Sequence, residues 1–470
     1  MKVLLIYPPK FNLVTPALPE VQERGLGFFP PLGLMYIAAH LKKYTQHNVE
    51  ILDADVERLS YEEIRDEVKM RKPDVVGITA MTYMLYDAIS VARVVKEADK
   101  NIHINLGGPH VNIYPQETIN FPFVDSVTLG EGEITLTEFV DALSQKDSLK
   151  RIKGIVYKEN GNIFYNEPRE LVKDIDILPY PDRRIINYKK YYNIMSRNQI
   201  STTMITSRGC SNRCIFCDIP HKTVRYRSIE NVLEEVKDCL KLGVREIYFY
   251  DDTFNLDKRR VIEFCSKIIE EGFKFSWTFR GRIKPLDEEM LAKLSKAGCQ
   301  RIQFGVESGN EEILKLIRKN ITLEEVKQAF RLTRKFGISS SAYFMIGFPN
   351  ESKEMVLETI KFVNELNPDY VAFSVTQPFP NTELYKMGLE RGIFKTDFWK
   401  DFACNPKINF APFLWEETLS REQMYELQRV ALRSFYLRPR YLIKSVLDCR
   451  SPREFLRKLY GGIKLFIGLC

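Results

Sequence analysis

The sequence predicts an α/β protein: an N-terminal flavodoxin-like (Rossmann-type) parallel-sheet domain, then a six-stranded (β/α) partial TIM barrel, then a helical C-terminal region. Three observations predict it. Apolar runs alternate with amphipathic stretches over residues 1–150, the pattern of a parallel sheet with crossover helices. The alternation breaks over 151–195. It resumes over 196–395 with longer units, and residues 396–470 change character again.

In the first region Val3–Tyr7 is an apolar run stopped by Pro8 and Pro9. Leu32–Leu41 has helical spacing, Val49–Leu52 reads as a strand and Ser60–Met70 as an exposed helix. Val75–Thr79, His103–Leu106 and Val124–Leu129 are strands, with helices at Ala88–Ala98 and Thr135–Leu143. Two of these strands run into Gly107-Gly108 and Gly130-Glu131-Gly132-Glu133. Open α/β sheets bind ligands at such strand ends. The 151–195 stretch is read as a connector, because Gly154–Lys158 and Asn162–Asn166 flank an Asn160-Gly161 hairpin turn. Six strands follow at Thr202–Thr206, Glu246–Tyr250, Lys274–Thr278, Arg301–Phe304, Ser340–Ile346 and Tyr370–Thr376, separated by amphipathic helices such as Ile229–Leu242 and Thr322–Phe336. In a barrel, chemistry sits at the C-terminal ends of the strands.

The chain has 470 residues, 44% hydrophobic and 28% charged, an ordinary balance for a globular protein large enough to need no disulfide staples. A formal charge of +7 is modest at this length and gives no global case for nucleic-acid binding. The N-terminus (MKVLLIYPPK) reads as a first strand rather than a signal peptide. No apolar run approaches the ~20 residues of a membrane span. Of nine cysteines, three fall between 210 and 217 and six are scattered, which is not a secreted disulfide framework. The expected compartment is the reducing cytoplasm.

Ser207–Pro220 reads SRGCSNRCIFCDIP, a Cys-x3-Cys-x2-Cys loop directly after a predicted strand. Three thiolates on one loop can hold three irons of a [4Fe–4S] cubane, leaving the fourth iron open to a ligand. A Cys3His zinc site using His221 is the alternative; structural zinc sites close their coordination, usually with ligand pairs spaced further apart.

Cys210, Cys214 and Cys217, with Phe216 in the aromatic slot, resemble the radical S-adenosylmethionine superfamily. The resemblance implies that the open iron chelates S-adenosylmethionine. One electron from the reduced cluster then splits the cofactor into methionine and a 5′-deoxyadenosyl radical. It also assigns the strand ends. Tyr250-Asp251-Asp252-Thr253-Phe254 would hold the methionine amino group, and Glu307 and Ser308 in Gly305-Val306-Glu307-Ser308-Gly309 the ribose and methionine. Gly347 in Met345-Ile346-Gly347-Phe348-Pro349 would lie near the adenine. Pro378-Phe379-Pro380-Asn381-Thr382 ends the sixth strand. Relatives often have Pro-Gly-Thr there, so Asn381 is a departure that bears on the turn's conformation. No residue is assigned as a catalytic acid or base.

The N-terminal region resembles the cobalamin-binding domain that precedes the radical core in one branch of that superfamily. The matching residues are Tyr7-Pro8-Pro9, Pro30-Pro31-Leu32-Gly33-Leu34, Asp53, Pro73–Thr79, Gly107-Gly108-Pro109-His110 and Gly130–Glu133. Read without the resemblance, the glycines are tight βα turns of an ordinary flavodoxin-like domain. With it, Pro9, Thr79, Tyr83, Gly107, Gly108, Gly130, Glu131 and Glu133 are the expected corrin contacts. Cobalamin domains that ligate cobalt from below use Asp-x-His-x-x-Gly. None of the five histidines here (His40, His47, His103, His110, His221) stands in that frame. A cobalt without a strong lower ligand favours transfer of its methyl group as a radical.

The aromatics Phe398, Trp399, Phe402, Phe410, Phe413 and Trp415 read as a C-terminal cap packed on the barrel, or as walls of a substrate pocket over its mouth. Residues 433–464 carry nine basic side chains against two acidic ones. Helices packing an apolar face on the core are one reading of 433–470, and peripheral contact with an anionic membrane is the other. Cys404, Cys449 and Cys470 show no cluster spacing, so no auxiliary cluster is expected. The expected activity is cobalamin-dependent radical methylation of an unactivated carbon of a small molecule or lipid, fed by an anaerobic electron donor such as flavodoxin or ferredoxin. A cobalamin-dependent radical cyclase or oxidase is the alternative. A non-catalytic iron–sulfur or zinc module is the alternative from another class. Methylthiotransferases carry three more cysteines in their N-terminal domain, and this chain has none before Cys210.

Overall fold

A computed structural model describes residues 1–14, 27–192 and 200–447. The chain divides into two compact units. The first comprises residues 1–15, 30–190 and 397–412, and the second 16–29, 191–396 and 413–470.

Unit 1 is built on seven strands: β1 (Lys2–Tyr7), β2 (Asn48–Asp53), β3 (Val75–Thr79), β4 (His103–Gly107), β5 (Ser126–Thr128), β6 (Ile155–Glu159) and β7 (Asn162–Tyr165). Their order is β2-β1-β3-β4-β5-β6-β7. The first five are parallel, in the flavodoxin-like order that leaves a crevice between β1 and β3 at their C-terminal ends. Val3, Leu4, Leu5 and Ile6 are all fully buried, as a strand covered on both faces requires. The hairpin expected to connect two domains does more than connect. β6 and β7 add antiparallel strands to the free edge of β5. Helix Tyr61–Arg71 begins at a Ser60–Glu63 capping box and ends with Lys69 and Arg71, which offset the helix dipole.

Unit 2 holds β8 (Ser201–Met204), a two-residue ladder of β9 (Ser207–Arg208) with β10 (Arg225–Tyr226), then β11 (Glu246–Phe249), β12 (Ser276–Gly281), β13 (Cys299–Glu307), β14 (Ser339–Ile346) and β15 (Tyr370–Val375). Six strands form one all-parallel sheet in strict chain order from β8 to β15, the open part-barrel expected. Strand boundaries differ from the expectation where polar residues end a strand. β12 runs to Gly281, three residues past the expected Thr278, and β13 runs to Glu307 rather than Phe304. Phe249, Phe254, Phe264, Trp277 and Phe279 pack as a tilted and edge-on aromatic cluster behind β11 and β12. Trp277 Nε1 donates to the Ala297 carbonyl at 2.8 Å, so the indole is buried without losing its hydrogen bond.

The aromatic C-terminal segment is divided between the two units. Phe398, Trp399, Phe402 and Phe410 pack on one another within unit 1, where helix Phe398–Cys404 lies against helix Pro115–Ile119. Only the downstream part returns to unit 2, where Trp415 meets Phe394 edge-on. Helix Arg421–Tyr436 packs on β15, with Gln428 Nε2 donating to the Phe373 carbonyl at 2.7 Å. The basic tail is described as far as Leu447; residues 448–470, with Cys449 and Cys470, lie outside the described residues.

Candidate active site

Because all six barrel strands are parallel, their C-terminal ends share one edge of unit 2, and the cysteine loop leaves from that edge. The β9–β10 ladder closes the loop at its base. Gly209 follows β9 with φ +93°; a Cβ there would stand 2.3 Å from the Thr223 carbonyl oxygen, so only glycine fits. The Cys210 amide donates to the His221 carbonyl at 3.1 Å, tying the loop's two limbs together.

Two carboxylates after β11 fix where the loop starts. Asp251 is fully buried and accepts from the Thr206 amide (2.5 Å), the Thr206 hydroxyl (2.5 Å) and Ser207 Oγ (2.9 Å). Burial pushes its pKa up while these three donors pull it down. Asp252 Oδ2 accepts from the Gly209 amide at 2.9 Å. The thiols are free. Cys210 Sγ accepts from Asn212 Nδ2 at 3.3 Å and lies 3.5 Å from Thr253 Oγ1.

The ends of the later strands carry strained backbone. Glu307 closes β13 with φ +77°, at a register shift against β14. For an acidic residue this conformation is uncommon and is found mostly at functional sites. Its Oε1 accepts from Lys319 Nζ at 2.7 Å, and both side chains are buried. Lys319 sits in a loop with left-handed residues on either side, Arg318 (φ +56°) and Asn320 (φ +55°). The Ile317 carbonyl accepts the Ile215 amide at 3.4 Å, and the Lys319 carbonyl accepts Arg282 Nη2 at 2.5 Å. Phe216 packs its ring on Phe348, centroids 5.7 Å apart. The Gly347 and Phe348 amides both donate to Glu351 Oε2, at 2.6 and 3.1 Å. Burial pushes the Glu351 carboxyl up to about 7. Tyr250 lies between the Phe29 ring and the Arg280 guanidinium, the latter 4.3 Å from its centroid.

Asn381 resolves the departure noted in the sequence. Its φ is +64°, the left-handed conformation that asparagine tolerates and glycine would adopt. Thr382 Oγ1 donates to the Phe379 carbonyl and accepts from the Tyr385 amide, so the turn is closed and caps the next helix.

The donor set fits an iron–sulfur cubane. Three free cysteines stand on one closed loop, with N–H groups of Asn212 and Arg282 aimed at sulfur. Among the described residues no three His, Cys, Asp or Glu side chains converge on a single ion. A cubane does not ask for that, because each thiolate takes a different iron.

The corresponding edge of unit 1 is furnished otherwise. Pro9 follows β1; Thr79 ends β3 and Tyr83 follows it; Gly107 ends β4 and Gly108 follows it; Gly130 follows β5. Space opens at Gly130, where a Cβ would meet nothing within 4 Å, and at Gly107, whose nearest neighbour would be 3.9 Å away. Such a rim free of side chains fits a broad flat ligand such as a corrin. Gly108 has a different reason: at φ +105° its Cβ would stand 2.8 Å from the Ala80 carbonyl oxygen, so the β3 and β4 loops need the glycine to pack. Glu131 accepts from the Val172 amide at 3.2 Å, and Glu133 is buried in its helix. No histidine stands on the rim. His110 is fully buried, with Nδ1 3.1 Å from Thr82 Oγ1 and its pKa pushed down to about 3 by burial. His40 bonds Thr137, His103 begins β4 at the opposite end of the sheet, His47 lies beside the N-terminal amine, and His221 belongs to unit 2.

Comparison with known proteins agrees with this reading. The sequence model of the radical SAM superfamily matches residues 204–363, and that of the B12 binding domain matches residues 25–140. An uncharacterized methyltransferase of Pyrococcus horikoshii is 36% identical over 98% of this chain and 99% of its own length. An anaerobic magnesium-protoporphyrin IX monomethyl ester cyclase of Rubrivivax gelatinosus is 27% identical over 94% of this chain and 79% of its own. The solved structure of the cobalamin-dependent S-adenosylmethionine radical enzyme OxsB with aqua-cobalamin bound matches with a TM-score of 0.73. It is 19% identical and is matched over 99% of this chain and 72% of that one. A chain with a three-thiol loop on a parallel part-barrel and a separate B12-type sheet is a radical enzyme of two cofactors. It belongs to the radical S-adenosylmethionine superfamily, in the branch that carries a B12 binding domain.

Residues expected around S-adenosylmethionine (Phe216, Tyr250, Asp252, Glu307, Ser308 and Gly347) all lie on the cysteine loop or at the ends of β11, β13 and β14. Ser308 turns inward, with its hydroxyl 3.3 Å from Thr359 Oγ1. Sequence reasoning missed Asp251 as the loop's anchor, Lys319 as the partner of Glu307, and Arg282. The first has a sequence signal, being adjacent to Asp252. The other two have none, because their partners are more than ten residues away in the chain.

Proposed function

We propose that this chain methylates an unactivated carbon of a small molecule or lipid. The reading rests on one observation: a closed Cys210–Cys217 loop on the active edge of a parallel part-barrel, in a chain whose B12-type sheet has no cysteine and no histidine on its rim. When bound, the cluster and S-adenosylmethionine supply a radical that takes hydrogen from carbon, and the corrin supplies a methyl group. The thiols of Cys210, Cys214 and Cys217 would hold iron. Tyr250, Asp252, Glu307, Ser308 and Gly347 would orient S-adenosylmethionine, and Phe216 on Phe348 would exclude water beside it. Pro9, Thr79, Tyr83, Gly107, Gly108, Gly130, Glu131 and Glu133 would border the corrin. The Pyrococcus horikoshii relative, 36% identical over 98% of this chain, is named a methyltransferase, which favours methyl transfer. The cyclase relative favours ring formation with the same cofactors as the second reading.

Anaerobic turnover with trideuteromethyl S-adenosylmethionine and a small-molecule or lipid extract separates the two. Methyl transfer predicts a product heavier by the labelled methyl group. 5′-Deoxyadenosine without label in any product would leave the cyclase reading.

The electron donor is read as a flavodoxin or ferredoxin in a reducing cytoplasm, a reading supported by the free thiols. Peripheral membrane contact through 433–470 is supported by the apolar side chains that helix Pro439–Leu447 exposes, Ile443 at 61% and Leu447 at 77%, in a stretch of sequence rich in Arg and Lys. Among the described residues no helix is long and apolar enough to cross a membrane. Flotation with anionic liposomes should be lost on deleting 433–470; equal flotation removes the membrane reading.

A further inference from the structure

The three cysteine sulfurs do not have equivalent surroundings. Cys210 accepts from a neutral donor, Asn212 Nδ2, and lies 3.5 Å from the Thr253 hydroxyl, which itself donates to the Asp252 carbonyl. Cys217 has the backbone amide of Ile219 beside it, and the opposite charges of Lys222 and Asp218 act on it together. Cys214 faces a cation: Arg282 Nη1 points at its sulfur from 4.0 Å. That guanidinium is held from two sides. Its other nitrogen, Nη2, donates to the Lys319 carbonyl at 2.5 Å. Its own backbone is clamped by Asn255, which is fully buried. Asn255 Oδ1 accepts the Arg282 amide at 2.8 Å, and Asn255 Nδ2 donates to the Arg282 carbonyl at 2.9 Å. Among the described residues the side-chain hydrogen bonds of Arg282 go only to the Lys319 carbonyl and the Cys214 sulfur, and no carboxylate is within ion-pair reach of it. A half-buried, unneutralised and doubly braced cation aimed at one thiolate is more than the loop needs in order to close, since the β9–β10 ladder and the Cys210–His221 bond already close it.

We propose that Arg282 is a tuning residue for the cluster, setting through Cys214 how readily the cluster accepts its electron. The proposal rests on the cluster reading of the three thiols. Reduction adds one electron to the oxidised [4Fe–4S] cluster, supplied by dithionite in the experiment and by a low-potential electron-transfer protein in the cell. No bond forms or breaks in this step, and the cluster becomes more negative by one charge. Hydrogen bonds and positive charge at the sulfurs stabilise that added charge and raise the potential. Arg282 therefore makes the cluster easier to reduce, and its position at Cys214 directs that help to one ligand of the three.

The test is a redox titration of the anaerobically reconstituted full-length protein, followed by the electron paramagnetic resonance signal of the reduced cluster. Wild type, Arg282→Met and Arg282→Lys are compared, with iron counted in each. Arg282→Met is expected to hold its iron and to titrate at a more negative potential. At a fixed applied potential its reduced-to-oxidised ratio should fall about tenfold, equivalent to 59 mV for one electron. Arg282→Lys, which keeps the charge without the planar fork, should recover most of that shift. Equal midpoints in wild type and Arg282→Met overturn the proposal. So does loss of iron in both variants, which would make Arg282 a structural brace. A wild-type protein that takes up no cluster at all would instead overturn the cluster reading beneath it.

Discussion

Both units bring parallel strands to a single edge, yet the two edges are furnished in opposite ways. In unit 1 the non-glycine residues with left-handed backbone include Arg58, Lys72 and Lys146, which are helix C-caps, and Asn160 in the hairpin turn. The rim itself is bordered by glycines, and its one neighbouring imidazole is buried. In unit 2 Glu307, Arg318, Asn320, Asn350 and Asn381 adopt that conformation around the active edge, beside a buried carboxylate at Asp251 and a buried ion pair at Glu307–Lys319. A group held through bonds to named atoms demands fixed, charged and strained side chains. A broad ligand held by shape demands room. The same sheet architecture serves both because the difference lies in the loops.

The contrast can be broken most severely at the thiols. Replacing Cys210, Cys214 or Cys217 by Ala should abolish 5′-deoxyadenosine formation while unit 1 keeps its cobalamin. Iron content and the corrin absorbance measured on one sample check this, and loss of both together would mean that the two edges are not independent. Next comes the buried pair. Lys319→Met strands Glu307 in a buried setting and should destabilise the protein by ~3–5 kcal/mol in denaturant titration. Lys319→Met with Glu307→Gln should recover much of that loss; no recovery would mean that the pair's charge is not what the site depends on.

A smaller effect is expected on the quiet edge. Gly108→Ala should cost about 1–3 kcal/mol, because alanine is strained at that backbone angle and meets the Ala80 carbonyl. Gly130→Ala, strained at φ +72° but with open space around it, should cost less in stability and more in cobalamin retention. Reversed effects would mean that the open rim is not where the ligand lies.

The smallest effect is a pH slope. The folded pKa of Glu351 is raised by burial from 4.5 to about 7, so the folded state holds a proton that the unfolded chain releases. Its contribution is complete below the unfolded value and is lost as pH rises toward the folded one. Stability should therefore fall between pH 4.5 and about 7 and then level, and Glu351→Gln should flatten that slope. Urea midpoints at several pH values decide it, and an unchanged slope in the variant would assign it to another group.

Much of this was legible in the sequence, and the gaps have physical causes. Continuous apolar runs such as Val3–Ile6 announce strands buried on both faces, and Cys-x3-Cys-x-Phe-Cys announces a cluster loop, because each signal is local. Strand ends were less legible where polar residues continue a strand. Placing the third barrel strand's end at Thr278 left Arg280, Gly281 and Arg282 outside the site. Lys319 and Glu307 are joined by geometry alone. The aromatic run 398–415 is a single block in sequence, but the fold divides it after Pro412, because apolar content says that a segment packs and not where.

The two-residue ladder at the base of the cysteine loop has a consequence for how the protein is loaded. Sixteen residues, 209 through 224, hang between Arg208 and Arg225, and that pairing together with Asp251 and Gly209 fixes both feet of the loop. The entropy of bringing the ends together is already spent when the polypeptide folds. Iron and sulfide would then meet a socket rather than a loose strand, and stripping the metal is expected to be a local exchange that leaves the barrel beneath it standing.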